Sequence, residues 1–232
     1  MSYPLIQSIV ESGFKPAEKG EDDPPVTSLV DLPIRQRMVL EEEDCWPETL
    51  PYAAAVLRRR SKRNFIGSPI PSSLVKSILE GLSLTTSGSL ENRKSYDHSV
   101  TIGLLIGQAE GFAPGFYLFD QHSLQLNLIR EGQYLKSMAN ISLDQMWLAQ
   151  AGIHVLFLSN LAALDRHQGP RGYRYALMSA GRLGERLYLL SSAMGLGCCG
   201  IGAFYDQEAA DLLGLDEATR LVYLVAIGLI KK

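Results

Sequence analysis

The chain has 232 residues, with 46% hydrophobic and 20% charged side chains, an ordinary composition for a globular protein with a sizeable core. A formal net charge of −3 gives no bulk attraction to nucleic acid or to an anionic membrane, and no apolar run reaches the ~18 residues of a membrane span. The first residues, MSYPLIQSIVESGF, lack the basic start and long apolar centre of a secretory signal, so the expected compartment is the cytoplasm.

Residues 1–50 read as an extended arm with a short candidate helix at 5–12, a polar stretch KPAEKGEDDPP and repeated prolines. Such an arm suits a position over another subunit. The acidic run at 41–44 reads as a solvated loop. Cys45, Cys198 and Cys199 are odd in number, and two are adjacent, which fits neither a disulfide framework nor paired zinc-ligand spacing. All three are taken as reduced thiols, and no metal site is expected.

From Pro51 the pattern turns helical: PYAAAVLRRR has proline in the first turn and cations toward the carboxyl end, where the helix dipole favours them. It runs into RRSKRNF, where Arg58, Arg59, Arg60, Lys62 and Arg63 surround Ser61. Cations this dense repel one another unless an anion sits among them, and the arginine fork with a serine hydroxyl suits phosphate oxygens. A basic surface loop is the competing reading. Residues 71–82 form an amphipathic helix, 100–107 a buried strand, 116–119 and 124–128 a hairpin with Leu124, Leu126 and Leu128 on one face. Residues 133–150 read as mostly helical and 153–158 as a further strand.

A long helix follows. Ala176, Ala180, Leu183, Leu187, Leu190 and Met194 recur alternately four and three residues apart, a narrow apolar seam that needs a packing partner. Gly181 and Gly184 suit close approach of another backbone, and Gly195 suits a left-handed cap. The turn GLGCCGIG then offers small residues where backbone N–H groups could reach a flat ring or a phosphate; by spacing alone, a buried helix with a tight connection to a strand is the favoured reading. Asp206 caps a short helix ending at Gly214, and residues 221–230 form a continuous apolar, hence interior, strand. The expected class is α+β, a mixed sheet sandwiched by helices.

Three segments in this order, RRRSKRNF, GFAPGFYLFDQHSLQLNLI and the stretch from RGYRYALMSAGRLGERLYLLSSAMGLGCCGIGAF to LVYLVAIG, resemble the nitroreductase superfamily of flavoproteins, and within it the SagB-type dehydrogenases that oxidise azolines in modified peptides. The resemblance covers most of residues 50–230. It implies a mainly antiparallel sheet flanked by helices, with the long central helix at the interface of an obligate homodimer, and an FMN-binding domain over 51–232. It also implies FMN as cofactor, with Arg59, Ser61 and Arg63 at its phosphate and ribityl chain, Arg60 nearby, and Lys231, shared with Lys232, as a further basic ligand. Gly197, Cys198, Cys199 and Gly200 would lie beside the ring, their N–H groups facing negative charge on the reduced flavin. NADH or NADPH is the implied electron donor.

The sequence departs from the subgroup where substrate is handled. A Lys-Tyr pair expected just before RGYR is replaced by His167 and Gln168, leaving His167 as the candidate base. A Pro-Ser-x-Gly stretch reads Lys94, Ser95, Tyr96 and Asp97, keeping only Ser95 as a cofactor contact from the second subunit. In the long helix a Glu-Ala-Gly-His pattern reads Ser179, Ala180, Gly181 and Arg182, and a Gln-Asn pair reads Glu185 and Arg186. The expected activity is ping-pong hydride transfer on a small-molecule or peptide substrate. The alternative is a catalytically silent scaffold subunit of a peptide-modifying complex that keeps the fold.

Overall fold

A computed structural model describes residues 30, 32–40, 47–83 and 99–231. The candidate helix at 5–12, the acidic run 41–44, Cys45, the segment holding Lys94, Ser95, Tyr96 and Asp97, and Lys232 lie outside the described residues. Seven strands, β1 (Gln36–Val39), β2 (Thr101–Ile106), β3 (Gly115–Asp120), β4 (Gln125–Glu131), β5 (Ile153–Asn160), β6 (Gly197–Ile201) and β7 (Thr219–Gly228), make one sheet in the order β1-β4-β3-β2-β5-β7-β6. Every neighbouring pair is antiparallel. Strand β7 is interior, as its unbroken apolar run requires, and β6 is an edge. The helices are α1 (Tyr52–Arg58), α2 (Ser72–Ser83), α3 (Leu135–Ile141), α4 (Leu161–Gln168), α5 (Gly172–Ala193) and α6 (Asp206–Leu213). The expected α+β architecture, a mainly antiparallel sheet flanked by helices, is the observed one.

Local differences have local causes. Within the stretch read as an extended arm, residues 1–50, Gln36–Val39 forms a strand that the reading did not anticipate, pairing with β4 and giving the sheet its other edge. Its mixed polarity, QRMV, hides it from a hydrophobicity reading. Leu124 is not in β4: it takes a φ of 50° in the turn, while Leu126 and Leu128 are buried as expected. The helical reading of 133–150 divides, because Leu143 and Asp144 adopt left-handed φ values of 58° and 54° between α3 and a 3-10 segment at Met146–Gln150. Asp206 is the first residue of α6 rather than its cap; Tyr205 holds that place, and Gly214 ends the helix left-handed as expected. Helix α4 has no counterpart in the periodicity reading; it starts where Asn160 Oδ1 accepts the Ala163 N–H at 2.9 Å.

The seam of α5 is the main correction. Ala176, Ala180, Leu183 and Leu187 are at most 3% exposed within the single chain, packed down on the sheet beside β7 rather than held for a second subunit. Gly184 admits this approach: a Cβ there would lie 2.8 Å from the Tyr223 ring, and Tyr223 stacks in turn on Phe157 of β5. Gly181, by contrast, faces open space. Leu190 packs against Gly81 of α2, and Arg186 donates to the Gly81 and Leu82 carbonyls at the end of that helix. The outer side of α5 carries Tyr173, Leu177 and Met178, all exposed.

On the opposite face of the sheet, His154 of β5 is fully buried, its Nε2–H donating to the Leu148 carbonyl at 3.0 Å and its Nδ1 without a partner. Burial holds the ring neutral, with its pKa lowered to about 4. Because the folded value lies below the unfolded one, the contribution is intact above about pH 6.5 and is lost as pH falls toward 4, about 1.4 kcal/mol per pH unit and roughly 3 kcal/mol in all. Denaturant unfolding of the native chain and of His154→Gln across this window should show the acid-side slope shrink by that amount in the variant. Leu187→Ala removes a fully buried side chain between α5 and the sheet and should cost about 2–5 kcal/mol in the same measurement.

Candidate functional site

Helix α1 ends at Arg58, and Arg59 leaves it in an extended conformation, φ −53° and ψ 119°. Arg60 folds back over this end, Nη1 donating to the carbonyls of Leu57 at 3.2 Å and Arg59 at 2.7 Å, so it satisfies groups the helix leaves open. The chain then runs along the outer edge of β6. Ser61 bridges Cys198 in parallel, with the Lys62 N–H donating to the Cys198 carbonyl at 2.9 Å. Phe65 bridges Ile230, and the Ile66 N–H donates to the Leu229 carbonyl at 3.0 Å. Gly197 is what lets this segment lie so close: a Cβ there would collide with the Ile230 side chain and come within 3.1 Å of Phe65.

The segment carries its cations to two different aromatic partners. Arg59 and Ser61 both meet Tyr188 of α5: the Arg59 guanidinium lies 5.5 Å from the ring centroid, and Ser61 Oγ is 2.8 Å from the Tyr188 hydroxyl. Arg63 lies 5.7 Å from the centroid of Trp147, which stacks on Phe65. Aromatic faces under both guanidinium groups offset the repulsion that their spacing imposes. Lys231 joins the same edge, its N–H donating to the Asn64 carbonyl at 3.1 Å and its carbonyl accepting from Asn64 Nδ2 at 2.8 Å. Arg59, Ser61, Arg63 and Lys231 all remain exposed.

The glycine and cysteine stretch is a strand, not a turn; the turn is at Met194 and Gly195, with Gly195 at φ 73° as its cap expects. Its outward groups are already engaged, for the Gly200 N–H donates to the Tyr188 hydroxyl at 2.7 Å. A Cβ at Gly200 would strike the Tyr223 hydroxyl. Burial pushes the Cys198 thiol up to about 12, so Cys198 packs and does not act as a nucleophile. Burial likewise raises Tyr188, and pushes Tyr223 up to about 12, so both phenols stay protonated.

The structure therefore brings together Arg59, Ser61, Arg63, Gly197, Cys198, Cys199, Gly200 and Lys231 along one edge. It does not bring His167 there within one chain. His167 is exposed in the last turn of α4, which leaves β5 at Asn160, opposite Thr219 at the start of β7. The basic edge is at the other end of β7, and α5, about 33 Å long at 1.5 Å per residue, spans the distance between. Ser95 lies outside the described residues. Tyr188 and Trp147 escaped the sequence reading. Tyr188 is hidden on the flank of an apolar seam, and its one signal is a hydroxyl two turns before the glycine turn; Trp147 gives none beyond its composition. Among the described residues no group of His, Cys, Asp and Glu is placed to hold a metal ion, and no helix is long and apolar enough to cross a membrane.

What the edge can do is bind an anion with several charge-assisted donors next to neutral hydroxyls and a buried, tightly packed strand. Known proteins resemble this chain in sequence or in fold. A Methanocaldococcus jannaschii protein assigned as a nitroreductase is 28% identical over 169 residues, 70% of this chain and 83% of the relative. A crystal structure of an Anabaena variabilis protein assigned as a nitroreductase superposes with a TM-score of 0.75 at 22% identity over 84% of this chain, which spans only 42% of that longer chain. The Escherichia coli microcin synthetase McbBCD complex with truncated pro-MccB17 bound is similar over 100% of this chain and 84% of its own, with a TM-score of 0.62 at 15% identity. The profile of the nitroreductase family matches residues 56–229, which include the basic edge segment, Tyr188 and all of β6, and the chain belongs to that family of flavin-type oxidoreductases.

Proposed function

We propose that the protein is an FMN-dependent oxidoreductase, SagB-like, acting by ping-pong hydride transfer. The observation that carries this reading is that Arg59, Ser61 and Arg63 stand exposed within five residues of one segment bridged to the edge of a close-packed strand, each arginine backed by an aromatic ring. That donor set fits a dianionic phosphate: two guanidinium forks and a hydroxyl, exposed and already oriented. Arg59, Ser61 and Arg63 would hold the phosphate and ribityl chain, with Lys231 adding charge from its place beside Asn64. When bound, FMN supplies a two-electron carrier that takes a hydride from one substrate and passes it to the next. The protein's part is to hold it, to exclude water along β6 with Cys198 and Cys199, and to keep the neighbouring phenols neutral. Arg60 stands apart as the cap of α1.

A homodimer fits the exposed Tyr52, Leu57, Tyr173, Leu177 and Met178 on α1 and the outer side of α5, a different face from the buried seam. The substrate is a small molecule or a modified peptide, and NADH or NADPH is the electron donor where the substrate does not itself supply the hydride. Likeness to the peptide-bound microcin synthetase complex over the full chain favours the peptide. The same likeness, with His167 and Gln168 in place of the subgroup's Lys-Tyr pair, favours a second reading, a silent scaffold subunit that binds FMN but is not reduced by NADH, NADPH or dithionite-coupled acceptors.

The visible spectrum of the purified chain, with the released chromophore identified by mass, tests the cofactor: about one FMN per chain is expected, and colourless protein that takes up no added FMN ends the reading. Arg59→Ala and Arg63→Ala should each weaken FMN binding by about 10- to 100-fold, and stoichiometric flavin copurifying with both would remove the phosphate assignment. With its site in the last turn of α4, far from the basic edge of its own chain, His167→Ala should leave flavin content and turnover unchanged; a pH-dependent loss of turnover of a hundredfold or more would instead restore it as the base.

A further inference from the structure

We propose that Tyr188 is the positioning residue through which strand β6 holds Ser61 as a phosphate donor, an inference that rests on the FMN reading. The chemistry is a matter of counting hydrogens. A backbone amide only donates, so the Gly200 N–H, 2.7 Å from the Tyr188 hydroxyl, occupies a lone pair on that oxygen. The phenol keeps its own hydrogen, because burial raises its pKa, and Ser61 Oγ stands 2.8 Å away to receive it. Ser61 then accepts from Tyr188 and its own hydrogen is released toward the exposed side of the segment, where Arg59 stands. The result is a chain of donors, Gly200 N–H to Tyr188 O–H to Ser61 O–H to a phosphate oxygen, in which each link polarises the next.

The same side chain serves the neighbouring cation. Arg59 lies over the face of the Tyr188 ring, so one residue sets both a neutral donor and a charged one. Tyr188 can do this because α5 is fixed: Leu187, the residue before it, is fully buried, and Gly184, one turn earlier, sits against Tyr223. Tyr188 touches neither the reacting atoms nor, on this reading, the phosphate. It acts through Ser61 and Arg59, and its effect should follow the phosphate alone.

FMN and riboflavin differ by that phosphate, which makes their ratio the readout. The full chain is loaded with either flavin, and dissociation constants are read from flavin fluorescence released on dilution. Tyr188→Phe keeps the ring beneath Arg59 and loses the hydroxyl; it should weaken FMN about tenfold and riboflavin less than about twofold. Ser61→Ala should do the same, and the double variant should be no weaker than Ser61→Ala, since the two act as one unit. Equal weakening of both flavins in Tyr188→Phe, no weakening at all, or losses that add in the double variant would overturn the inference while leaving the FMN reading standing. If Tyr188→Phe does not fold, Ser61→Ala decides: it changes an exposed side chain, and an unchanged FMN-to-riboflavin ratio overturns the donor chain. A native chain that binds no FMN overturns the cofactor reading and the inference together, and one that binds both flavins equally overturns the phosphate assignment on which the inference depends.

Discussion

The outer edge of a sheet carries backbone donors and acceptors that need partners, and in this protein the edge strand β6 finds them in the basic segment and in Tyr188. Lys62 donates to Cys198, and Gly200 donates to Tyr188. Those two contacts fix where residues 59–63 lie, and therefore where a dense group of cations is presented. A shift along the edge by one residue would part Ser61 from Tyr188 and Arg63 from Trp147. Edge protection and anion recognition are thus met by one stretch of chain.

Close packing makes that docking possible and restricts what β6 can be. Gly197 gives way to Ile230 and Phe65, Gly200 to Tyr223, and Gly184 of α5 to the same tyrosine. Glycines that in sequence look like a cradle for a ring are, in the fold, contacts between protein groups. Cys198 and Cys199 are similarly buried neighbours in a strand rather than reactive thiols. The anion-binding character of the edge comes instead from side chains: guanidinium groups over aromatic faces and a serine hydroxyl over a phenol.

Helix α5 links these features to the core. Its seam is buried on the sheet within one chain, which anchors Tyr188 at a fixed height above β6 and leaves Tyr173, Leu177 and Met178 outward. Periodicity reports that a helix has an apolar stripe; it does not report which surface covers the stripe, since a sheet and a second subunit exclude water equally well. The partner that the seam calls for is the sheet of its own chain, and the helix ends at the glycine cap where the sequence places it.

Much of the fold was legible because it is local. The glycine caps at Gly195 and Gly214, the hairpin and the interior strand β7 follow from propensities and periods written into short windows of sequence. The cation cluster around Ser61 was equally plain, since charge density is a property of the segment alone. Strand β1 and helix α4 were not, for one is polar and short and the other is set by a single Asn160 cap. Tertiary structure alone decided that Tyr188, 127 residues from Ser61 along the chain, shares a hydrogen bond with it, that Arg60 serves its own helix, and that His167 stands at the far end of α5. Such pairings depend on how the sheet orders β6, β7 and β5, and no short window of sequence contains that order.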